Sequence, residues 1–268
     1  MHCERAVNST RAFALLLSTG GARSEGLSRI ARRTTVLFER PSIPSGKWPF
    51  LFMIERCIPE LEALLDNEVD LADAVPVGAD QLTISGCMEC YKQAILRRVL
   101  DSTRATSLLW NAGNHYGAAV VARALFETIV SFHDFLRRAQ AAREAEDYKA
   151  LAFLVDMFAI STRDTELRAA NELPRSVNVL TQVDQYAKHV EPLATRFYEQ
   201  LSDFCHPNGY RMITSYGRIS RKRYVIADVP TRSADAFKAI YNCCYQVCWL
   251  YSAITEYDRL LDRVRYLT

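Results

Sequence analysis

A chain of 268 residues is long enough to bury a sizeable core, as one large domain or two small ones. With 49% hydrophobic and 24% charged residues it has the composition of a globular protein, and a formal charge of +2 is too small to imply nucleic-acid or membrane binding by itself. Only 10 Gly and 9 Pro argue against an all-β protein built on tight turns, and no apolar run approaches the roughly 18–20 residues of a membrane span.

Residues 1–46 differ from the rest: they carry seven Arg against three acids, with many Ser and Thr and no sustained periodicity. The piece Ala12 to Leu17 after Arg11 is shorter than the roughly 7–15 residues of a secretory apolar region. An Arg-rich, Ser-rich start also fits an organellar transit peptide, which Glu4, Glu25 and Glu39 argue against. The expectation is a disordered leader over 1–46, closed by Pro41, Pro44 and Pro49, followed by a single helical domain over 47–268.

From Phe50 the pattern becomes helical. Phe52, Ile54, Ile58, Leu61, Leu64 and Leu65 line Phe50–Val75 with acids on the other side, and Pro59 within that run predicts a break or kink near Cys57. Ala79–Ala112 is a second helical region with Ile95, Leu96, Val99 and Leu100 as its apolar face. Gly113-Asn114 supplies a turn and an N-cap. The stretch Asn114–Arg138 then has Val121, Leu125, Ile129, Phe132 and Leu136 at helical spacing, with Val120, Ala124 and Val130 on other sides, as a central helix would.

After Arg138 the chain stays helical through Ile160, with Leu151, Leu154, Val155 and Phe158 inward. Asp164–Ser176 is mixed and charged, and Val177–His189 is ambiguous. A helix from Glu191 or Pro192 to Cys205 carries the stripe Leu193, Phe197, Leu201 and Phe204 and stops at Pro207. Arg211–Val229 is the only β-like segment, a short hairpin or ordered loop. Ser233–Tyr266 reads as one long amphipathic helix. The fold class expected is therefore all-α, a helical bundle with a long C-terminal helix and a small hairpin-like insertion.

Eight cysteines, most of them inside helical apolar patterns, point to reduced core thiols and a reducing, cytoplasmic setting. Cys87-x2-Cys90 and Cys244-x3-Cys248 have the spacing of zinc ligands but lie in continuous helical sequence, without the turns such ligands sit on, so no metal and no cofactor is expected. No phosphate-binding Gly-rich loop, nucleophile elbow or H-E-x-x-H occurs.

Two places remain as candidate sites. Arg123 and Glu127, four apart on the central helix, are its only charges between Tyr116 and Phe132, and a charge in such surroundings must be paired. Tyr198, Ser202 and His206 form a polar stripe at the same spacing. Facing the central helix, that stripe makes Arg123, Glu127, Ser202 and His206 a candidate catalytic cluster with His206 as acid/base, or a structural network that sets helix register. The second place is the acid-free run 204–227, in which Arg211, Arg218, Arg221, Lys222 and Arg223 alternate with Tyr210, Tyr216 and Tyr224, either a phosphate-and-stacking surface or a solvated hairpin. His133 and Asp134 read as surface groups, and His115 as the rim of a pocket.

The motifs ARALFET (122–128) and YEQLSDFCHPNG (198–209) resemble a family of bacterial helical proteins of unknown function, themselves similar to the HEPN (higher eukaryotes and prokaryotes nucleotide-binding) bundles. The resemblance covers about residues 80–265 and implies an all-α bundle with nucleotide or RNA association, in a stress or antiphage role for some members. One feature departs from it: nucleases of that group carry Arg and His a few residues apart, whereas Arg196–His206 and Arg123–His133 each have nine residues between them. The alternative expectation is a non-enzymatic interaction module. It would homodimerise through the C-terminal helix, where Tyr241, Tyr245, Trp249 and Tyr251 supply interface aromatics.

Overall fold

The computed structural model describes residues 37–39, 46, 48–66, 68–69, 83–171, 173–206, 209–226 and 233–265. Among these the chain forms ten α-helices and one hairpin. The helices are α1 (Trp48–Glu62), α2 (Ile84–Asn111), α3 (His115–Glu144), α4 (Tyr148–Val155), α5 (Thr165–Asn171), α6 (Val179–His189), α7 (Ala194–Cys205) and α8 (Gly209–Tyr216). Strands β1 (Gly217–Ser220) and β2 (Arg223–Ile226) follow, and then α9 (Ser233–Cys244) and α10 (Val247–Arg265). The all-α bundle with its hairpin insertion is the architecture expected.

Helix α3 is the centre of the bundle, packed against α2, α4, α6, α7, α9 and α10. Its start is set by Gly113, whose φ of 78° closes the turn, and by Asn114, whose side chain accepts from the Gly117 backbone N–H at 2.9 Å. Leu125, Phe126, Ile129, Phe132 and Phe135 are fully buried along it. Phe132 stacks on Tyr257 with ring centroids 5.2 Å apart, and the Tyr257 hydroxyl donates to the Met88 carbonyl at 2.7 Å, tying α10 to α2 across the core. The helix outlasts the expected Arg138 and ends where Glu146, at φ 54°, turns the chain and Asp147 caps α4. After α4 the backbone widens into a π-turn over Asp156–Ile160.

Several elements differ from the expectation. Of the break or kink expected at Pro59 there is no break, helix α1 continuing through it, and Phe52, expected on the apolar side, is 63% exposed. Loss of the Pro59 N–H and the ring clash cost about 3 kcal/mol. Burial of Leu51, Ile54, Ile58 and Leu61 on one face of α1 offsets that cost, each side chain contributing about 1.5–3 kcal/mol. The ambiguous 177–189 is helix α6, capped by Asn178. Within the β-like segment, residues up to Tyr216 are helical, Gly217–Ser220 and Arg223–Ile226 pair as strands, and 227–229 lie outside the described residues.

The long C-terminal helical segment carries one interruption, at Tyr245-Gln246, where bonds tighten to i→i+3. Gln246 is almost fully buried there, accepting from the Tyr186 hydroxyl at 2.8 Å and donating to the Asn242 carbonyl at 3.1 Å.

Residues 37–39 lie inside the stretch read as leader and are held to the bundle. Leu37 N–H donates to Glu55, and the Asn111 amide accepts from Glu39 N–H and donates to the Leu37 carbonyl. This clamp places Phe38 edge-on to Phe237 with its side chain fully buried. Most of the expected leader, residues 1–36 among it, lies outside the described residues. Among the described residues no helix is long and apolar enough to cross a membrane.

Candidate functional site

The two sequence motifs meet where α3 packs on α7. Arg123 Nε donates to Glu127 Oε1 at 3.0 Å, and Arg123 Nη2 donates to the Tyr198 hydroxyl oxygen at 2.7 Å. The Tyr198 O–H in turn donates to Glu127 Oε1 at 3.2 Å, closing a three-membered ring of charge-assisted hydrogen bonds. The guanidinium also lies over the Tyr198 ring, 4.9 Å from its centroid. Two turns further along α7, Cys205 lies beside Arg123, and the Tyr116 hydroxyl donates to the Cys205 carbonyl at 3.3 Å, pinning the end of α7 to the first turn of α3.

Burial opposes the charge on Arg123, but the bonds to Tyr198 and Glu127 more than offset it and its pKa rises. Burial followed by the Glu127 carboxylate pushes the Tyr198 phenol up, and burial raises the Cys205 thiol against the pull of Arg123. Both hydroxyl and thiol are thus held protonated. Neither is poised as a base or nucleophile near neutral pH.

Of the four cluster residues expected, the structure brings Arg123 and Glu127 into one network. Ser202 is partly buried nearby on α7, its Oγ buried and without a hydrogen-bond partner. His206 is exposed: it is the C-cap of α7, its backbone leaves the helix in an extended conformation, and its ring bonds to no described residue. Tyr198, named in the sequence only as the start of the polar stripe, is the side chain that joins the two helices. The pair is less buried than expected, with side-chain exposures of 23% for Arg123 and 33% for Glu127, so its loss is milder than that of a fully buried pair. Tyr198→Phe, which keeps the ring and removes both hydroxyl bonds, is expected to cost about 1–2 kcal/mol in urea unfolding. Glu127→Ala should cost a similar amount, and the double variant less than the sum, since all three groups share one network.

His133 and Asp134 are not surface groups. They lie on the inner side of α3, in a cleft open to solvent between α3, α6 and α10 that Arg137, Tyr186, His189 and Glu256 also line. The His133 ring meets Tyr186 edge-on at 5.0 Å, its Nε2 is buried without a partner, and burial lowers its pKa to about 4. Asp134, its side chain only 4% exposed, is paired with Arg137 and Arg138. His115 stacks on Trp110 with centroids 4.0 Å apart, and burial lowers its pKa too. Nothing in the spacing of these histidines distinguishes inward from outward.

The basic segment divides between two elements. Arg211 lies on α8, while Arg218, Arg221, Lys222 and Arg223 are on the hairpin, exposed and in no ion pair with a described residue. Register pairs Gly217 with Ile226, Arg218 with Val225, Ile219 with Tyr224 and Ser220 with Arg223. Paired residues share a face, so Arg218, Ser220, Arg223 and Val225 occupy one side and Gly217, Ile219, Tyr224 and Ile226 the other. The tip is a two-residue turn with φ of 46° at Arg221 and 64° at Lys222, the left-handed conformations of a type I′ turn that Asn-Gly normally fills. Tyr224 lies across Gly217, where a Cβ would meet its ring at 2.4 Å, and donates to the Ile213 carbonyl at 2.6 Å. The hydroxyl thus ties the hairpin to α8, while Tyr224 stays 45% exposed and Tyr216 41% exposed.

The cysteine spacings do not assemble a metal centre: among the described residues no three His, Cys, Asp or Glu side chains gather where they could hold an ion. Cys87 and Cys244 are buried core thiols, each pushed up to about 12 by desolvation. Compared with known proteins, the chain matches no family model, no curated protein and no solved structure at a significant level.

Proposed function

We propose that this protein is a HEPN-like helical bundle that associates with RNA through its hairpin, with the Arg123–Glu127–Tyr198 network setting the register of α3 and α7 rather than performing catalysis. The observation that carries this reading is the hairpin tip. A non-glycine residue in the left-handed region costs about 1–2 kcal/mol, and here Arg221 and Lys222 sit there in succession. Their side chains are exposed and bond to no described residue, so what the position gains is two cations on an exposed apex. Arg218 and Arg223 on one face extend that charge along the strands, a layout that suits successive backbone phosphates. Tyr216 and Tyr224, both partly exposed, are the rings available for stacking among the described side chains, and the side chain of Tyr210 lies outside them.

The test separates charge from fold. Arg221→Asn with Lys222→Gly installs the sequence that a type I′ turn prefers, so the hairpin is expected to gain about 1 kcal/mol or more in local stability by amide exchange. Retention of single-stranded RNA in a filter assay should fall in the same variant. Unchanged retention with a stabilised hairpin would remove the tip from the binding surface.

A second reading, a non-enzymatic homodimer, is favoured by one observation: Trp249 and Tyr251 on α10 are 46% and 38% exposed. Tyr241, also offered as an interface aromatic, is buried within the core, so the interface would be narrower than the sequence suggested. Light scattering at tens of micromolar is expected to give a dimer under this reading, and Trp249→Ala a monomer.

A further inference from the structure

The cleft between α3, α6 and α10 has a volume of about 170 Å³, somewhat more than the roughly 150 Å³ that admits a benzene ring. Two of the groups that line it hold buried polar atoms that bond to no described residue, His133 Nε2 and Arg137 Nε. Buried donors and acceptors are nearly always satisfied, so two unfilled ones at the same cleft point to an occupant. The space exceeds what one bridging water would take. We propose that the cleft binds a free α-amino acid with an aliphatic side chain, its carboxylate on Arg137 and its ammonium toward Glu256 and the C-terminal end of α6.

Charge selects a zwitterion. Arg137 Nη2 donates to Asp134 at 2.9 Å, and the guanidinium keeps its Nε–H for a second acceptor. Asp134 is itself paired with Arg138 as well, so an incoming carboxylate meets two guanidinium charges against one carboxylate. The opposite charge comes from two elements. Glu256 lines the cleft from α10, and α6 lines it with its last turn, where the terminal carbonyls carry the negative end of the helix dipole. Lys188 and His189 on that turn are exposed, and Lys188 is not part of the lining. A simple anion would meet Glu256 and those carbonyls unpaired, and a simple cation would leave the Arg137 Nε–H unfilled. His133, kept uncharged at neutral pH by its burial, accepts from the ammonium or donates to the carboxylate according to its tautomer. Leu136 and Val190 supply aliphatic surface, and the Tyr186 ring adds to it because its hydroxyl is committed to Gln246 at 2.8 Å. The volume admits the side chain of valine, leucine or isoleucine.

The experiment titrates the full chain near neutral pH with L-leucine, L-isoleucine and L-valine, followed by calorimetry and by the thermal midpoint. Saturable single-site binding and a rise in midpoint are expected for at least one of them. Isocaproate, which lacks the ammonium of leucine, and isoamylamine, which lacks its carboxylate, should each bind about tenfold more weakly or worse. Glu256→Gln, at an exposed position, should weaken leucine by about tenfold and leave isocaproate unchanged. Arg137→Lys, which keeps a cation beside Asp134 but removes the Nε–H, should weaken leucine and isocaproate alike and leave isoamylamine unchanged. Should Arg137→Lys fail to fold, Glu256→Gln carries the test alone. The proposal is overturned if none of the three amino acids binds, if the one-ended analogues bind as well as leucine, or if Glu256→Gln binds leucine as wild type does.

Discussion

Replacing Arg221, Lys222 and Arg223 together by alanine is expected to lower RNA retention at every sequence alike and to flatten its salt dependence. Each phosphate contact to a single strand contributes about 0.7 unit to the slope of log K against log salt, so three lost contacts should remove about two units. Referred to a 1 M reference, the same loss is roughly 50-fold in affinity at about 0.15 M salt. The effect should be uniform if these cations contact backbone phosphates, which carry no sequence information. The fold should survive, since all three side chains are exposed and bound to no other described residue. A salt series on wild type and triple variant decides it: parallel lines would mean that these charges are a solvated face.

Acid is expected to destabilise the protein well before its carboxylates titrate, and His133 is the reason. Its ordinary pKa is 6.5 and its folded value is lowered to about 4 by burial between α3 and α6. The unfolded chain therefore takes up a proton as pH falls below about 6.5, while the folded chain does not until about pH 4. Stability is unaffected by this group above that window and falls through it as pH drops. The slope is about 1.4 kcal/mol per unit, or about 2 kcal/mol between pH 7 and pH 5. Protonated, the ring would lie in a cleft that Tyr186, Arg137, His189 and Glu256 also line, with Asp134 already engaged by two arginines. His115 works in the same direction, its pKa also lowered by burial. Urea unfolding of His133→Gln at the two pH values should show most of this dependence gone; an equal loss in variant and wild type would assign it elsewhere.

These two expectations were unequally visible beforehand. The absence of Asp and Glu around the hairpin cations is a property of the sequence alone. That Arg221 and Lys222 occupy a strained two-residue turn is a property of strand register, which depends on where Tyr224 settles over Gly217. His133 sits beside Phe132 in a helix buried on several sides, and a one-residue difference in position is a rotation of about 100°. Its neighbour from α6 decides whether that direction is water or core.

By itself the sequence determined the class of the fold and its central helix. Leu125, Ile129, Phe132 and Leu136 recur at the helical period, and Asn114 marks a helix start, because periodicity and capping are local properties of one segment; the break before Asp147 had no such reading. It also brought Arg123 and Glu127 together, since they lie on a single helix. Tertiary structure decided whatever needed two elements at once. Tyr198 rather than His206 completes the polar network, because α7 ends at Cys205 and its C-cap carries the imidazole out to solvent while the ring about two turns back reaches α3. Pro59 stays in a helix because an apolar face packed against α2 and α10 outweighs one missing hydrogen bond. Phe38, in a stretch with no periodicity to report it, is buried because Glu55 and Asn111 from two other helices bind the backbone on either side of it, and a short segment held by its main chain leaves no pattern in its side chains.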